Sequence, residues 1–230
     1  THGAAPLAVT LTASGDAATY HWELGDGSSA DGASVQHTYA AGRFTARVTA
    51  TNAGGETAQA TVVVTATGVT LGGPRSGRYQ QLARFRGRVV PAVKGARVGL
   101  YRGGRRIATV RTSGNGTFAV RGRVGNPASR YTARYAGAVS NGVALLVRPG
   151  LDTAFHGSGQ LGRPLSLLVR ARPAGAGLVT VRVTRAGRLV AQRSFHGRLR
   201  LRLGTGRAGA YRIRVTHHDR GRGQHHPSVV

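Results

Sequence analysis

The sequence contains no cysteine and no methionine, a single lysine (Lys94) and only seven acidic residues in 230 positions. Without thiols there is no disulfide framework, no thiolate metal site and no cysteine nucleophile; a β-sandwich folds without disulfides, so this composition remains compatible with export. Aromatic residues make up 6% of the chain, so a core has to be built from Val, Leu, Ile and Ala. No apolar run reaches the roughly 18 residues that a membrane-spanning helix needs. The first residues, Thr1-His-Gly-Ala-Ala-Pro6, lack the charged and apolar segments of a signal peptide, so an exported form is expected to have lost its signal already. Seven acids leave few choices for a catalytic carboxylate pair. Gly157-Ser-Gly159 lacks a strand–elbow–helix setting, and no phosphate-cradling loop precedes a helix. No enzymatic activity, cofactor or metal site is expected within these residues.

What is abundant is arginine, unevenly distributed. Residues 1–66 carry five acids against Arg43 and Arg47, a net charge of −3; the other 31 bases share residues 67–230 with two acids, a net charge of +29. Guanidinium forks bind carboxylates and phosphates in bidentate fashion, which makes anionic polymers plausible partners. A high-GC genome, which exchanges Lys for Arg regardless of binding, accounts for the same composition.

Hydrophobicity alternates with a period of two in short runs, as in Leu7 to Leu11, Phe44 to Ala50, Thr61 to Thr65 and Val179 to Val183. That is the rhythm of half-buried strands, and no window of a dozen residues keeps a helical period. Turn signals separate the runs: Asp26-Gly27, Asn52 to Gly55, Gly103-Gly104, Gly114-Asn115-Gly116 and Ala186-Gly187. The expected fold is all-β, three tandem antiparallel β-sandwich (Ig-like) modules with no significant helix.

The later two modules read as copies of one another. Ala96 to Ala108 (ARVGLYRGGRRIA) parallels Val179 to Ala191 (VTVRVTRAGRLVA), Gly116-Thr-Phe-Ala-Val parallels Gly197-Arg-Leu-Arg-Leu, and Tyr131-Thr-Ala-Arg-Tyr parallels Tyr211-Arg-Ile-Arg-Val. An offset that stays near one module length points to tandem duplication. The expected modules are therefore 1–66, 67–148 and 149–230, with short joints at Thr67-Gly68 and Arg148-Pro149-Gly150 that favour a stiff rod. Neither end leaves room for an expected edge strand. Gly3-Ala-Ala-Pro-Leu7 starts almost at residue 1, and Pro227-Ser-Val-Val230 stops where the third module's last strand would begin. The chain is accordingly expected to be either a piece of a longer protein or one whose open edges a neighbouring subunit completes.

Tyr20-His-Trp-Glu-Leu-Gly-Asp-Gly27, Val35-Gln-His-Thr-Tyr39, Gly42-Arg-Phe-Thr-Ala-Arg-Val48 and Thr51-Asn-Ala-Gly-Gly55 follow in order. Over about residues 5–66 this pattern resembles the PKD family, with Glu23 and Leu24 in place of its usual Asp and Phe. Physically it is scaffold chemistry: Trp22 fills the core, Gly25, Asp26 and Gly27 form a tight turn whose carboxylate accepts backbone N–H bonds, and His37 and Tyr39 form the following step. No regular spacing of oxygen ligands joins Asp26 and Asp31 into a calcium loop. The resemblance implies a secreted or cell-surface setting and spacer or adhesion roles. Residues 67–230 are similar to the Ig-like repeats of exported bacterial proteins.

The arginines alternate with apolar residues in three rows: Arg84, Arg86 and Arg88; Arg198, Arg200 and Arg202; Arg212 and Arg214. In strands, each row lines one solvent-facing face of a sheet. Such ladders keep a sheet soluble and guard its edges, or they hold an anionic polymer. His217-His218-Asp219 and His225-His226 flank a flexible basic segment that disfavours a preformed metal site. Asn115-Gly-Thr117 forms a glycosylation sequon on a turn. The expected function is non-catalytic, an extracellular structural or adhesion protein that self-assembles through sheet edges into a surface layer or filament. Its expected partners are itself or an anionic cell-wall glycan, with no sequence-specific nucleic acid and no membrane span. The alternatives are the spacer stalk of a longer cell-wall enzyme, and an arginine-rich module that binds anionic polymers.

Overall fold

A computed structural model describes residues 1–125, 130–158, 160–173, 177–204, 206–207, 209–218 and, by backbone alone, 226–229. No helix occurs among the described residues. The strands in chain order begin with β1 (His2–Ala4), β2 (Leu7–Thr12), β3 (Thr19–Glu23), β4 (Ser29–Asp31), β5 (Ser34–Tyr39), β6 (Gly42–Thr51) and β7 (Thr57–Gly72). There follow β8 (Ser76–Arg78), β9 (Leu82–Val90), β10 (Arg97–Arg102), β11 (Arg105–Arg111), β12 (Thr117–Arg123), β13 (Tyr131–Tyr135), β14 (Ala138–Val139) and β15 (Leu146–Arg148). The last are β16 (Gly150–Gly157), β17 (Leu165–Arg172), β18 (Leu178–Arg185), β19 (Arg188–Phe195), β20 (Arg198–Leu203), β21 (Tyr211–His218) and β22 (His226–Val229).

These strands pack into two compact units: Thr1–Pro74 with Leu82–Gly122 and Ser129–Ala144, and Arg75–Gln81 with Arg123–Ala128 and Leu145–Val230. In the first unit a seven-stranded sheet runs β12-β9-β7-β6-β3-β4, with β1 added parallel to β7. A β2–β5 pair and a four-stranded sheet β11-β10-β13-β14 complete that unit. The second unit holds the parallel pair β8–β15 and two sheets, β16-β17-β20 and β19-β18-β21-β22. Alternation produces these elements: in β12 every second side chain from Phe118 to Gly122 is buried while Thr117, Ala119, Arg121 and Arg123 face solvent.

The long strand β7 organises the first unit. It pairs with β6 along Thr57–Ala66 and with β9 along Gly68–Gly72, so Thr67 and Gly68 lie inside a continuous strand. A Cβ on Gly68 would sit 2.4 Å from the Cβ of Ala41, and only glycine lets the strand pass there. On one side of this point lies a core of Val9, Leu11, Trp22, Leu24, Val35, Tyr39, Ala46, Val48, Val64 and Ala66. On the other, Phe85 stacks on Tyr131 with ring centroids 4.7 Å apart, among buried Val69, Leu71, Val89, Val98, Leu100 and Phe118. The second unit buries Leu167, Val169, Ala171, Val179, Val181, Val183, Leu201, Leu203 and Val215.

Both stretches expected to leave an edge unfilled form strands. His2–Ala4 pairs in parallel with Thr65–Thr67, because three residues suffice for a short strand where Thr1 and Ala5 extend the ladder with further hydrogen bonds. His226–Val229 pairs with His217 to Arg214 on β21, in the place that β14 takes beside β13. The parallel pair β8–β15 has no counterpart among the described residues after Gly150.

Candidate functional site

The three arginine rows lie on three different sheets. Arg84, Arg86 and Arg88 project from β9 in the seven-stranded sheet, where Arg86 is paired with Gly72 and Arg88 with Thr70. Arg198, Arg200 and Arg202 project from β20 in the three-stranded sheet; Arg212 and Arg214 project from β21 in the four-stranded one. All eight are exposed, and each alternates with a buried or half-buried residue. None of them forms an ion pair with a described residue, although Arg200 Nε donates to Ser166 Oγ at 3.4 Å. Some are crowded by further arginine, with Arg170 directly opposite Arg198 and Arg182 directly opposite Arg214. Like charges facing each other across a ladder repel, and an anionic ligand would relieve that repulsion.

The residues of the tryptophan-to-tyrosine pattern converge into one knot. Gly25 and Gly27 have φ of +83° and +93°, and a Cβ on Gly25 would lie 2.4 Å from the carbonyl oxygen of Thr45. This tight bend aims Asp26 at three donors: Ser28 N at 3.1 Å, Ser28 Oγ at 2.5 Å and His37 Nε2 at 2.7 Å. The Ser28 hydroxyl, and after it the His37 ring, hold the Asp26 carboxyl well below its usual range, at about 2. Tyr39, fully buried, donates to Leu24 O at 3.0 Å, and burial next to Asp26 raises its pKa. Trp22 is 4% exposed and donates from Nε1 to Gly32 O at 3.0 Å. Asp31 is engaged separately, 2.6 Å from His21 Nδ1.

Residues 1–65 match the PKD domain family. This segment is a PKD domain. No curated protein matches the chain. Solved structures similar to it include two tandem arrays. A tetra-tandem repeat from the extending region of a large adhesion protein is 15% identical, with a TM-score of 0.35, and the match covers 90% of this chain and 65% of that one. The central fibronectin-III array of RIM-binding protein is 14% identical, with a TM-score of 0.27, covering 98% of this chain and 92% of that one.

In this PKD segment the Asp26 carboxylate, His37 Nε2, the Tyr39 hydroxyl and the Trp22 indole N–H are each engaged by other groups of the segment. His217 and His218 lie on β21, whereas Asp219, His225 and Gly159 lie outside the described residues and His226 is described by backbone alone. No three metal-ligating side chains cluster among the described residues. Asn115 Oδ1 accepts from Ser113 Oγ, Thr117 N and Thr117 Oγ1, so the sequon doubles as a turn lock. The reading by rows passed over Arg97, Arg106 and Arg134, which belong to no single strand's row and meet across three strands of the β11-β10-β13-β14 sheet. The signal was available in the two aligned copies, where Gly99 stands against Arg182.

Proposed function

We propose that this chain is a non-catalytic, extracellular structural or adhesion protein whose tandem Ig-like sandwiches associate through exposed sheet edges into a surface layer or filament. The single observation that carries the reading is β7. One uninterrupted strand serves the PKD domain's sheet and the next sandwich's sheet, so the two are coupled by backbone hydrogen bonds over Thr57 to Gly72 rather than joined by a linker. A joint of that kind transmits load and fixes spacing, which is what a structural protein requires. On this reading the module boundaries 1–66, 67–148 and 149–230, the last two of them copies of one another, are sequence units laid over this coupled architecture. Edge pairing has a concrete candidate in β19, an eight-residue edge strand on which Leu189 and Val190 are 53% and 45% exposed.

Sedimentation velocity and negative-stain imaging of the full chain over a wide concentration range test this reading. Large species that grow with concentration, and that disappear in the Leu189→Lys, Val190→Lys double variant, support it; a monodisperse monomer at every concentration overturns it.

A further inference from the structure

A groove of about 790 Å³ crosses the outer face of the β11-β10-β13-β14 sheet in the first unit. Its floor is Gly99, paired with Thr109 on one side and with Arg134 on the other. Arg97 lies two residues before Gly99 on β10, and Arg106 sits across from Tyr101, two residues after it. Strand geometry puts such positions about 5–8 Å from the floor residue, so three guanidinium-bearing side chains surround one opening. Tyr101 lies across the floor, with its ring carbon 2.8 Å from where a Cβ on Gly99 would be, and the Arg134 guanidinium caps that ring at 4.5 Å from the centroid. Arg111, directly opposite Arg97, is tied to Gly95 O at 3.0 Å.

Two further facts point to an anionic occupant. Arg97 and Arg106 form no ion pair with a described residue, and the sequence has no Asp or Glu between Glu56 and Asp152. The chain thus gathers cations around a concavity and supplies no counter-charge of its own. The duplicate sheet shows that this is not a necessity of the fold: there Arg182 occupies the position of Gly99 and faces Arg214, so the floor carries a long side chain instead of an opening.

We infer that this groove binds an acidic polysaccharide, with Arg97, Arg106 and Arg134 holding its carboxylate or sulfate groups as bidentate forks. Arg134 already covers the Tyr101 ring, so the groove presents forks for anionic groups while that ring is occupied as a stacking platform. The site lies on a sheet face and is independent of edge pairing, so either proposal can fail without the other.

The experiment is surface plasmon resonance of the full chain on immobilised heparin, alginate and duplex DNA, with circular dichroism confirming the fold of each variant. The triple variant Arg97→Ala, Arg106→Ala, Arg134→Ala is expected to lose at least about tenfold in polysaccharide affinity. The charge-matched triple Arg43→Ala, Arg121→Ala, Arg188→Ala, exposed positions outside the groove and outside the three rows, is expected to bind as the parent does. Gly99→Arg adds a positive charge but fills the floor, and is expected to weaken binding. Preference for heparin assigns sulfate, and preference for alginate assigns carboxylate. Equal losses in the two triple variants, tighter binding by Gly99→Arg, absence of binding to either polysaccharide at low salt, or groove-dependent preference for DNA each overturns the inference.

Discussion

Leu100 and Tyr101 flank an irregularity in the β10–β11 ladder, and Val183 and Thr184 flank its counterpart in β18–β19. Gly99 faces Arg134 across the next strand as Arg182 faces Arg214. The duplicated sandwiches therefore share a backbone register down to the bulge, yet they are filled differently. The earlier copy buries Phe85 and Phe118 and makes room for them with Gly87 and Gly122, where a Cβ would come within 2.3 Å of Phe118 and 3.2 Å of Phe85 respectively. In the later copy Leu167, Leu199, Val169 and Leu203 take these four places. The earlier copy thus sets large side chains over glycines, and the later one uses medium side chains throughout, so the same four places are packed in two different ways. Pairing fixes where each side chain points, and the size tolerated at each place is set by the neighbours that its own copy packs against it.

The strongest way to break this comparison is to empty one copy. Phe85→Ala is expected to cost about 3–5 kcal/mol, at or above the cost of Leu167→Ala at the matching position. Hydrogen exchange resolved to β9 and β17 would show the loss confined to the mutated copy; equal loosening of both would mean that the cores are not separate. Transplanting the later copy's solution should also fail. Gly87→Val puts a Cβ 2.1 Å from the backbone Thr70 O and 2.3 Å from the Phe118 ring, so a penalty of about 3 kcal/mol is expected in urea unfolding, of which reducing Phe118 to Leu alongside it recovers only the ring's share.

Acid isolates the PKD domain from both copies, whose only acids are Asp152 and Asp219. The folded Asp26 carboxyl has its pKa depressed from 3.8 to about 2, so its stabilising contribution is present above about pH 4 and is lost as the pH falls toward 2. The loss should be on the order of 1 kcal/mol, since Asp26 is an exposed residue whose contacts solvent screens, and Trp22, the only tryptophan, reports it by fluorescence. Asp26→Asn should flatten that pH dependence. The smallest effect concerns the hairpin turns. Gly103-Gly104 adopts φ of +53° and +83°, and the later copy repeats this with Ala186-Gly187 at +44° and +78°. Ala186→Gly should relieve the left-handed strain and raise the later copy's stability by about 0.5–1 kcal/mol, read as a higher unfolding midpoint.

Strand identity, the glycine turns and the PKD knot were legible because each rests on local chemistry. Trp22 alternates with His21 and Glu23, and Gly25-Asp26-Gly27 admits few backbone conformations. Two things were not legible. Residues 61–65 read as a short strand, and nothing in their alternation marks its continuation through Thr67-Gly68, since Gly68 looks like punctuation until Ala41 is seen against it. The arginine groove was missed because its members come from three strands, and only the pairing register of β10, β11 and β13 brings them together. Row-wise reading finds side chains spaced along one strand; it does not find those assembled across several.

Because β7 serves two sandwiches in a single pleat, the two inherit a common phase. Val69 and Leu71 project from the face opposite to Val64 and Ala66, so adding one residue at Thr67-Gly68 would turn them to that same face and out of their own core, whereas adding two would restore the parity. Length changes at this position are thus quantised in pairs, a constraint that no ordinary hinge between domains imposes on its sequence.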